Sequence, residues 1–393
     1  MEILNEVLER VKPSAAEAKA VKNKIAKFVK SLKIKDATIE LGGSGAKGTW
    51  LKDVFDVDLF VRFNKKCVGK DISSILEQSL KEFKPEKFHG SRDYFQVKKD
   101  GFVYELVPVI KINKADEALN ITDVSPLHAK WVNKKSSSQI KDQIRIAKQF
   151  FKANELYGAE SYIKGFSGYV LEILVIYYDG FVNLLKACVK WKEKEIIDLS
   201  KFHKDVMFEV NSSKLDSPLI VIDPVQAGRN ASAALSLEKF RLLKKLAQKF
   251  LDKPAIKYFE KEKVDVDKLG GLVIELKAVN GKEDIVGCKI EKAFNFFARS
   301  LTHEGFTIKK SKWYWDDTIV FNYDVEEKLS PEREIIGPPL KIKAAVKDFK
   351  KKYKKTFEKK GKIYAKIKRK YLTSESVVEA VRTDKYLKGK VKL

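Results

Sequence analysis

The chain has 393 residues, 44% of them hydrophobic and 34% charged, with 20 Gly and 10 Pro. That is the profile of a folded protein with two or three domains, each large enough for its own core, and it excludes collagen-like and low-complexity chains. The 79 Lys and Arg against 54 Asp and Glu give a formal net charge of +25, which is silent on fold but points to a polyanionic partner or an anionic surface.

The surplus is uneven, since residues 340–393 hold 20 basic and 5 acidic side chains. Cys67, Cys188 and Cys288 lie too far apart for a disulfide framework or a sequence-local zinc site. The start, MEILNEVLERV, is acidic and amphipathic, unlike a secretory signal. The most apolar run, Gly168 to Tyr178, already carries Glu172 and falls well short of the roughly 20 residues of a membrane span. A soluble cytoplasmic protein is expected.

In chain order, helical spacing of Leu4, Val7, Leu8 and Val11 and then of Ile25 and Val29 predicts two helices broken at Pro13. Ser14 with Glu17 fits a capping box for the second. A short strand over Thr38 to Leu41 runs into Gly42-Gly43-Ser44-Gly45, with weak helical spacing again through Thr49, Trp50 and Leu51. Val54 to Phe63 alternates as a strand. A helix near Ile72 to Phe83 follows, then a hairpin of Phe95 to Lys98 and Phe102 to Ile110 about Lys99-Asp100-Gly101. These elements make a small α/β unit.

From Ser136 the pattern turns helical, with Ser136-Ser137-Ser138 as a linker. Helices are expected over Ile140 to Ala153, Gly168 to Tyr178, Phe181 to Trp191 and Leu235 to Leu251. Beyond them, strands over Gly271 to Val279, Trp313 to Tyr323 and Lys362 to Tyr371 alternate with helices near Lys282 to Glu304 and Ile342 to Phe357. That mixture suggests a small α+β module. The expected division is 1–137, 138–255 and 256–393.

Asp56 and Asp58 share one strand face, with β-carbons about 7 Å apart. Paired like charges are stabilised by a divalent cation that also bridges phosphate oxygens; a solvent-facing strand edge is the plain alternative. Glu105 sits with Val103 and Val107 on one face of a later strand, in an otherwise apolar stretch that should not leave it unpaired. A salt bridge to a lysine would satisfy it. So would a three-carboxylate site for two Mg²⁺, one activating a hydroxyl and one holding a triphosphate. The upstream glycine-serine turn lets backbone N–H groups and the Ser44 hydroxyl approach a phosphate. It has neither P-loop nor GxGxxG spacing.

Gly43-Ser44, then Asp56 and Asp58, then a third carboxylate resemble the nucleotidyltransferase domain of the DNA polymerase β superfamily. The chain is more closely similar to the archaeal class I CCA-adding enzymes, which are tRNA nucleotidyltransferases. The segments that carry this are LGGSGAKGTWLKDVFDVDLFVRF (Leu41 to Phe63), TDVSPLHAKW (Thr122 to Trp131), FKANELYGAESYIKGFSG (Phe151 to Gly168) and IDPVQAGRN (Ile222 to Asn230). The tail matches in layout more than in motif.

The resemblance implies a multidomain α+β fold, with a polymerase-β-like nucleotidyltransferase head of mixed sheet and helices, a helical central domain for nucleotide recognition, and a basic α+β tail that binds tRNA. It implies that Asp56 and Asp58 bind two Mg²⁺, with Glu105 in a third carboxylate position where the family usually has Asp. Gly43, Ser44 and Lys47 would line the triphosphate loop. Ser125 and His128 would approach the incoming phosphates, with Lys148 and Tyr157 on the same phosphate wall. Arg229 would help recognise CTP or ATP together with RNA phosphates. Read from the residues alone, His128 could equally cap a helix beginning after Pro126, and Arg229 could pair with Asp223 in a loop. Members of the family often dimerise through the tail, and a dimer stripe and a packing stripe look the same in one sequence.

The polyanion can be argued from residues. In Lys362 to Tyr371, Ile363, Ala365, Ile367 and Arg369 alternate with Lys362, Tyr364, Lys366, Lys368 and Lys370, a surface suited to tracking an RNA backbone. Lys347, Lys350, Lys351, Lys354 and Lys355 make a basic helical face, with Phe349, Tyr353 and Phe357 packing it down. A lysine-rich solubility surface is the rival, but ion-pair networks need acids that this tail lacks. The acceptor and TΨC arms of tRNA fit such shape reading. Trp313, Tyr314 and Trp315 are either stacking residues or core, with core favoured for at least two. The enzyme rivals are a poly(A) or uridylyl transferase and a CC-only or A-only adding enzyme; the non-enzyme rival is a tRNA-binding protein with an inactive head.

Overall fold

In a computed structural model, which describes residues 2–52 and 56–392, the chain divides into two compact units, Met1–Glu262 and Lys263–Leu393.

The first unit opens with α1 (Glu2–Val11) and α2 (Ala15–Ser31). Ser14 accepts from the Glu17 N–H while Glu17 accepts from the Ser14 N–H, the reciprocal box read from the sequence. Then come β1 (Ala37–Leu41), the short α3 (Gly43–Lys47), β2 (Val57–Phe63), α4 (Ile72–Ser79), β3 (Glu86–Phe88), β4 (Tyr94–Lys99) and β5 (Phe102–Ile110). The strands form one sheet in the order β1-β2-β5-β4-β3. Only β2 and β5 run parallel; the other pairs are antiparallel. Asp100 and Gly101, with φ of 51° and 80°, make the β4–β5 hairpin turn.

Val57, Leu59, Val61 and Phe63 alternate into the core with Tyr104 and Leu106, against Ile25 and Phe28 of α2 and Ile72 and Leu76 of α4. Tyr104 stacks on Phe28 at 4.0 Å. Val54 and Phe55, at the start of the expected strand, lie outside the described residues. One expectation is corrected here. No helix forms at 49–51, because Gly48 caps α3 in the left-handed region with φ 65°. Ser136 and Ser137 connect α5 (Ser125–Lys135) to α6 (Ser138–Ala153), and the Ser137 hydroxyl caps the first turn of α6.

A helical layer completes this unit, with α6, α7 (Gly168–Tyr177), α8 (Phe181–Lys190) and, after β6 (Glu195–Ile197), α9 (Val206–Glu209), β7 (Leu219–Asp223) and β8 (Gln226–Asn230), the long α10 (Leu237–Asp252). Phe150, Phe151, Phe166, Phe181, Phe250 and Phe259 fill its core, which also takes Val7 and Val11 of α1. The three-stranded sheet β6-β7-β8 was not read from the sequence. Among the described residues no single helix is long and apolar enough to cross a membrane; α7 and α8 pass that test only as a pair bent by 92°, and their apolar side chains are core.

The second unit contains β9 (Leu272–Ala278), α11 (Glu283–Glu304), β10 (Ile308–Trp315), β11 (Ile319–Val325), β12 (Glu332–Pro339), α12 (Lys343–Lys352), β13 (Thr356–Lys359), β14 (Lys362–Lys368), α13 (Ser374–Arg382) and β15 (Val391–Lys392). They form sheets β10-β11-β9-β15 and β12-β14-β13. The single strand expected over 313–323 is instead a hairpin turning at Asp316 and Asp317. The helix expected over 342–357 stops at Lys352, and Phe357 belongs to β13, where it stacks on Tyr364 of β14 at 5.6 Å. Trp313 and Trp315 pack against the core, while Tyr314 faces Lys312, whose Nζ is 4.8 Å from its ring centre.

Candidate active site

The glycine turn and the carboxylate strand meet closely. Gly42 donates its N–H to the Asp58 carbonyl at 2.7 Å, folding the chain back over β2. A β-carbon on Gly42 would stand 2.5 Å from the Phe60 ring, and one on Gly43, whose φ is 52°, would stand 1.6 Å from Asp58 Oδ2. Only glycines let the turn lie this close. Ser44 follows in α3.

Asp58 lies opposite Glu105 in the parallel β2–β5 register, so the two carboxylates share the sheet face that turns away from the Tyr104 and Leu106 core. Val103 and Val107 take that face too, as the alternation predicts. Glu105 accepts from Gln96 Nε2 at 3.2 Å, a neutral partner in place of the lysine considered above. Asp56, two residues before Asp58, is exposed. Among the described residues, no three His, Cys, Asp or Glu side chains are gathered closely enough to hold a metal ion as they stand. The donors are nonetheless hard carboxylate oxygens of the kind Mg²⁺ takes.

The chain after α3 is held by α6. Arg145 donates to the Gly48 carbonyl at 2.6 Å and to the Trp50 carbonyl at 3.1 Å, and Lys148 Nζ donates to Thr49 Oγ1 at 2.9 Å. Lys148 also reaches Glu172 Oε1 at 2.8 Å, Lys47 Nζ reaches Glu172 Oε2 at 2.5 Å, and the Thr49 hydroxyl donates to Glu172 Oε1 at 2.7 Å. Burial lowers Lys148 to about 8 despite Glu172. Burial alone would raise Glu172, but Lys148 and Lys47 outweigh it and hold the carboxyl at about 2. Tyr157 stands over the start of α7, its hydroxyl 2.6 Å from where a Gly168 β-carbon would be. Burial raises its pKa first, and the negative charges of Glu172, Glu160, Asp56 and Asp58 raise it further.

A second buried carboxylate, Asp223 at the end of β7, organises the remaining residues. His128 Nε2 is 3.0 Å from Asp223 Oδ2, Arg229 Nη1 donates to the same oxygen at 2.6 Å, and Tyr169 Oη donates to Oδ1 at 3.0 Å. His128 stacks on Tyr169 with ring centres 4.1 Å apart. His128 therefore turns to Asp223 from the fourth position of α5 instead of capping it, whereas Arg229 makes the Asp223 pair that its loop suggested. Burial would raise Asp223, but His128, the Val225 N–H and Arg229 lower it to about 2. Ser125 opens α5.

Three family models cover most of the chain. They are a nucleotidyltransferase domain over 22–125, the second domain of tRNA nucleotidyltransferases over 142–260, and the C-terminal domain of CCA-adding enzymes over 272–391. A CCA-adding enzyme of Nanoarchaeum equitans is 38% identical over 304 residues, covering 76% of each chain. One of Methanocaldococcus jannaschii is 32% identical over 400 residues, covering 94% of this chain and 88% of that one. The chain belongs to the archaeal CCA-adding enzymes. It is thus an enzyme, a template-independent nucleotidyltransferase that builds or repairs the 3′-terminal CCA of tRNA. An RNA terminal uridylyl transferase structure shares the fold over 67% of this chain and 98% of its own, with a TM-score of 0.52 and 15% identity. A cytoplasmic RNA terminal U-transferase gives 0.50 at 16% identity, over 67% of this chain and 98% of its own. Membership in the CCA-adding family implies Mg²⁺ and the nucleotides CTP and ATP.

Sequence reasoning missed the parts played by Glu172, Thr49, Tyr169 and Arg145, and of the partners of Asp223 it found Arg229 alone. The one signal available was Glu172 itself, a lone acid inside the most apolar run of the chain.

Proposed function

We propose that Asp56, Asp58 and Glu105 hold two Mg²⁺ and that the residues around them bind the triphosphate of the incoming CTP or ATP. The in-register pair Asp58 and Glu105, lying beside the Gly42-Gly43 turn, carries this reading. Bound there, the metal would neutralise phosphate charge and lower the pKa of the attacking hydroxyl. The backbone N–H groups after Gly43, with Ser44, face the phosphates, and Lys47, Lys148 and Tyr157 form the adjoining wall. Ser125 and His128 approach the phosphates from α5, and Arg229 orients the base with the RNA end. The tRNA 3′-oxygen forms a bond to the α-phosphorus as the α–β anhydride bond breaks. Pyrophosphate leaves, and the hydroxyl proton passes to Glu105 or to solvent.

In this reading residues 1–137 form the catalytic head, 138–255 recognise the nucleotide and 256–393 hold the acceptor and TΨC arms, in a cytoplasmic enzyme. Lys362, Lys366 and Lys368 are exposed on β14 above buried Ile363 and Ala365, which supports a phosphate-tracking face. The test is Asp58→Asn on a tRNA lacking its CCA. Extension should fall at least about 100-fold, the scale expected when transition-state charge loses its stabilisation, with tRNA affinity unchanged. Extension at the wild-type rate would contradict the assignment.

A further inference from the structure

Glu172 is an oddity of packing. It lies in α7, between Leu171 and Ile173, and all three are fully buried. A carboxylate there is tolerable only when both oxygens are paired. They are, and the partners come from two different parts of the fold: Lys47 from the short helix that begins over Asp58, Thr49 from the chain just after it, and Lys148 from α6. The Thr49 hydroxyl accepts from Lys148 while donating to Glu172, so the four side chains form one connected network. Lys47 Nζ also stands 5.6 Å from the centre of the Tyr169 ring.

With both lysines protonated, these four residues carry one positive charge more than Glu172 can neutralise. A buried surplus charge of this kind is unfavourable until an anion meets it. The network is joined by α3 to the turn that lies against Asp58.

We propose that Glu172 is a positioning residue for the nucleotide triphosphate: it fixes Lys47 and Lys148 at one spacing and leaves their surplus charge for the phosphates to satisfy. Glu172 does not touch the nucleotide and acts only through the two lysines. The inference rests on the reading that those lysines face the triphosphate, so the experiment separates the two. Isothermal titration of the full-length protein with Mg·CTP, beside titration with tRNA, compares Lys148→Met, Glu172→Gln and Glu172→Asp, with thermal melting to check the fold. Loss of a charged hydrogen-bonding partner should weaken CTP binding about tenfold in both Lys148→Met and Glu172→Gln. Glu172→Asp should recover part of the loss, and tRNA affinity should stay at the wild-type value. In turnover, Glu172→Gln should raise KM for CTP and for ATP alike while leaving KM for tRNA in place.

A folded Glu172→Gln protein with wild-type CTP affinity, beside a weakened Lys148→Met, would overturn the positioning role alone. Wild-type CTP affinity in Lys148→Met would overturn the triphosphate assignment and this inference with it. Equal losses for CTP and tRNA in Glu172→Gln would mark a general structural role and also overturn the proposal. Should Glu172→Gln fail to fold, Thr49→Val removes the hydroxyl that bridges Glu172 and Lys148 with little change in volume. It must then weaken CTP but not tRNA, and unchanged CTP affinity in this variant would overturn the proposal.

Discussion

Gly43 lies against Asp58 so closely that a β-carbon at residue 43 would overlap Oδ2 of the carboxylate, at 1.6 Å. Its φ of 52° adds a second reason for glycine. Gly43→Ala must therefore push the turn off β2 or turn Asp58 away from its position beside Glu105. We expect at least about a 100-fold loss of nucleotide addition, comparable to removing a charge-stabilising group, with an unchanged far-ultraviolet circular dichroism spectrum. Activity within a few-fold of wild type would show that the close approach is not needed for catalysis.

Acid should unfold the first unit through two carboxylates. Glu172 and Asp223 are each held at about 2, below their unfolded values. Their contribution is therefore complete above pH 4.5 and lost as pH falls towards 2. Shifts of that size correspond to stabilisation on the order of 2–3 kcal/mol each. Urea midpoints measured between pH 6 and pH 3 should fall with acid in the wild type and fall less steeply in Glu172→Gln. An identical slope would contradict the charge assigned to Glu172.

Lys148 gives the alkaline counterpart. Burial brings it to about 8, so in the free enzyme it is cationic below that pH and neutral above. Because kcat/KM reports the free enzyme, kcat/KM for CTP should decline as pH rises through about 8. Lys148→Arg should move that decline to higher pH if the variant keeps activity. A profile flat to pH 9.5 in the wild type would remove Lys148 from phosphate binding.

Exposed lysines of β14 supply the fourth test. Replacing Lys362, Lys366 and Lys368 together by Ala should weaken tRNA binding and lower the magnitude of the salt slope by roughly 0.7–0.9 for each phosphate left unneutralised. KM for CTP should not move. An unchanged salt slope would reduce this strand to a solubility surface.

Much of this organisation was legible because it is local. The Ser14–Glu17 box, the Asp100-Gly101 turn and the alternation of Val57 to Phe63 each declare themselves within a few residues. The pairing of Asp58 with Glu105 was reachable only as neighbouring strands, since 46 residues separate the partners in register. The helix over 342–357 was misjudged because Phe349, Tyr353 and Phe357 repeat every four residues, yet Phe357 meets Tyr364 across a sheet. The buried networks were the least legible. Glu172 finds Lys47 125 residues away, and Asp223 finds His128 from a different element, so no spacing rule connects them. Arg229 was named together with its Asp223 partner because both lie within one short hairpin, six residues apart.

The most direct test of the whole account is extension of a tRNA transcript lacking its last three nucleotides. The transcript is incubated with Mg²⁺ and CTP, ATP, both, or UTP, and the products are mapped by sequencing. The account predicts addition of two C residues and no more with CTP alone, completion to CCA only when ATP is also present, and no extension with UTP. A long untemplated A or U tail, or no extension despite tight tRNA binding, would contradict it.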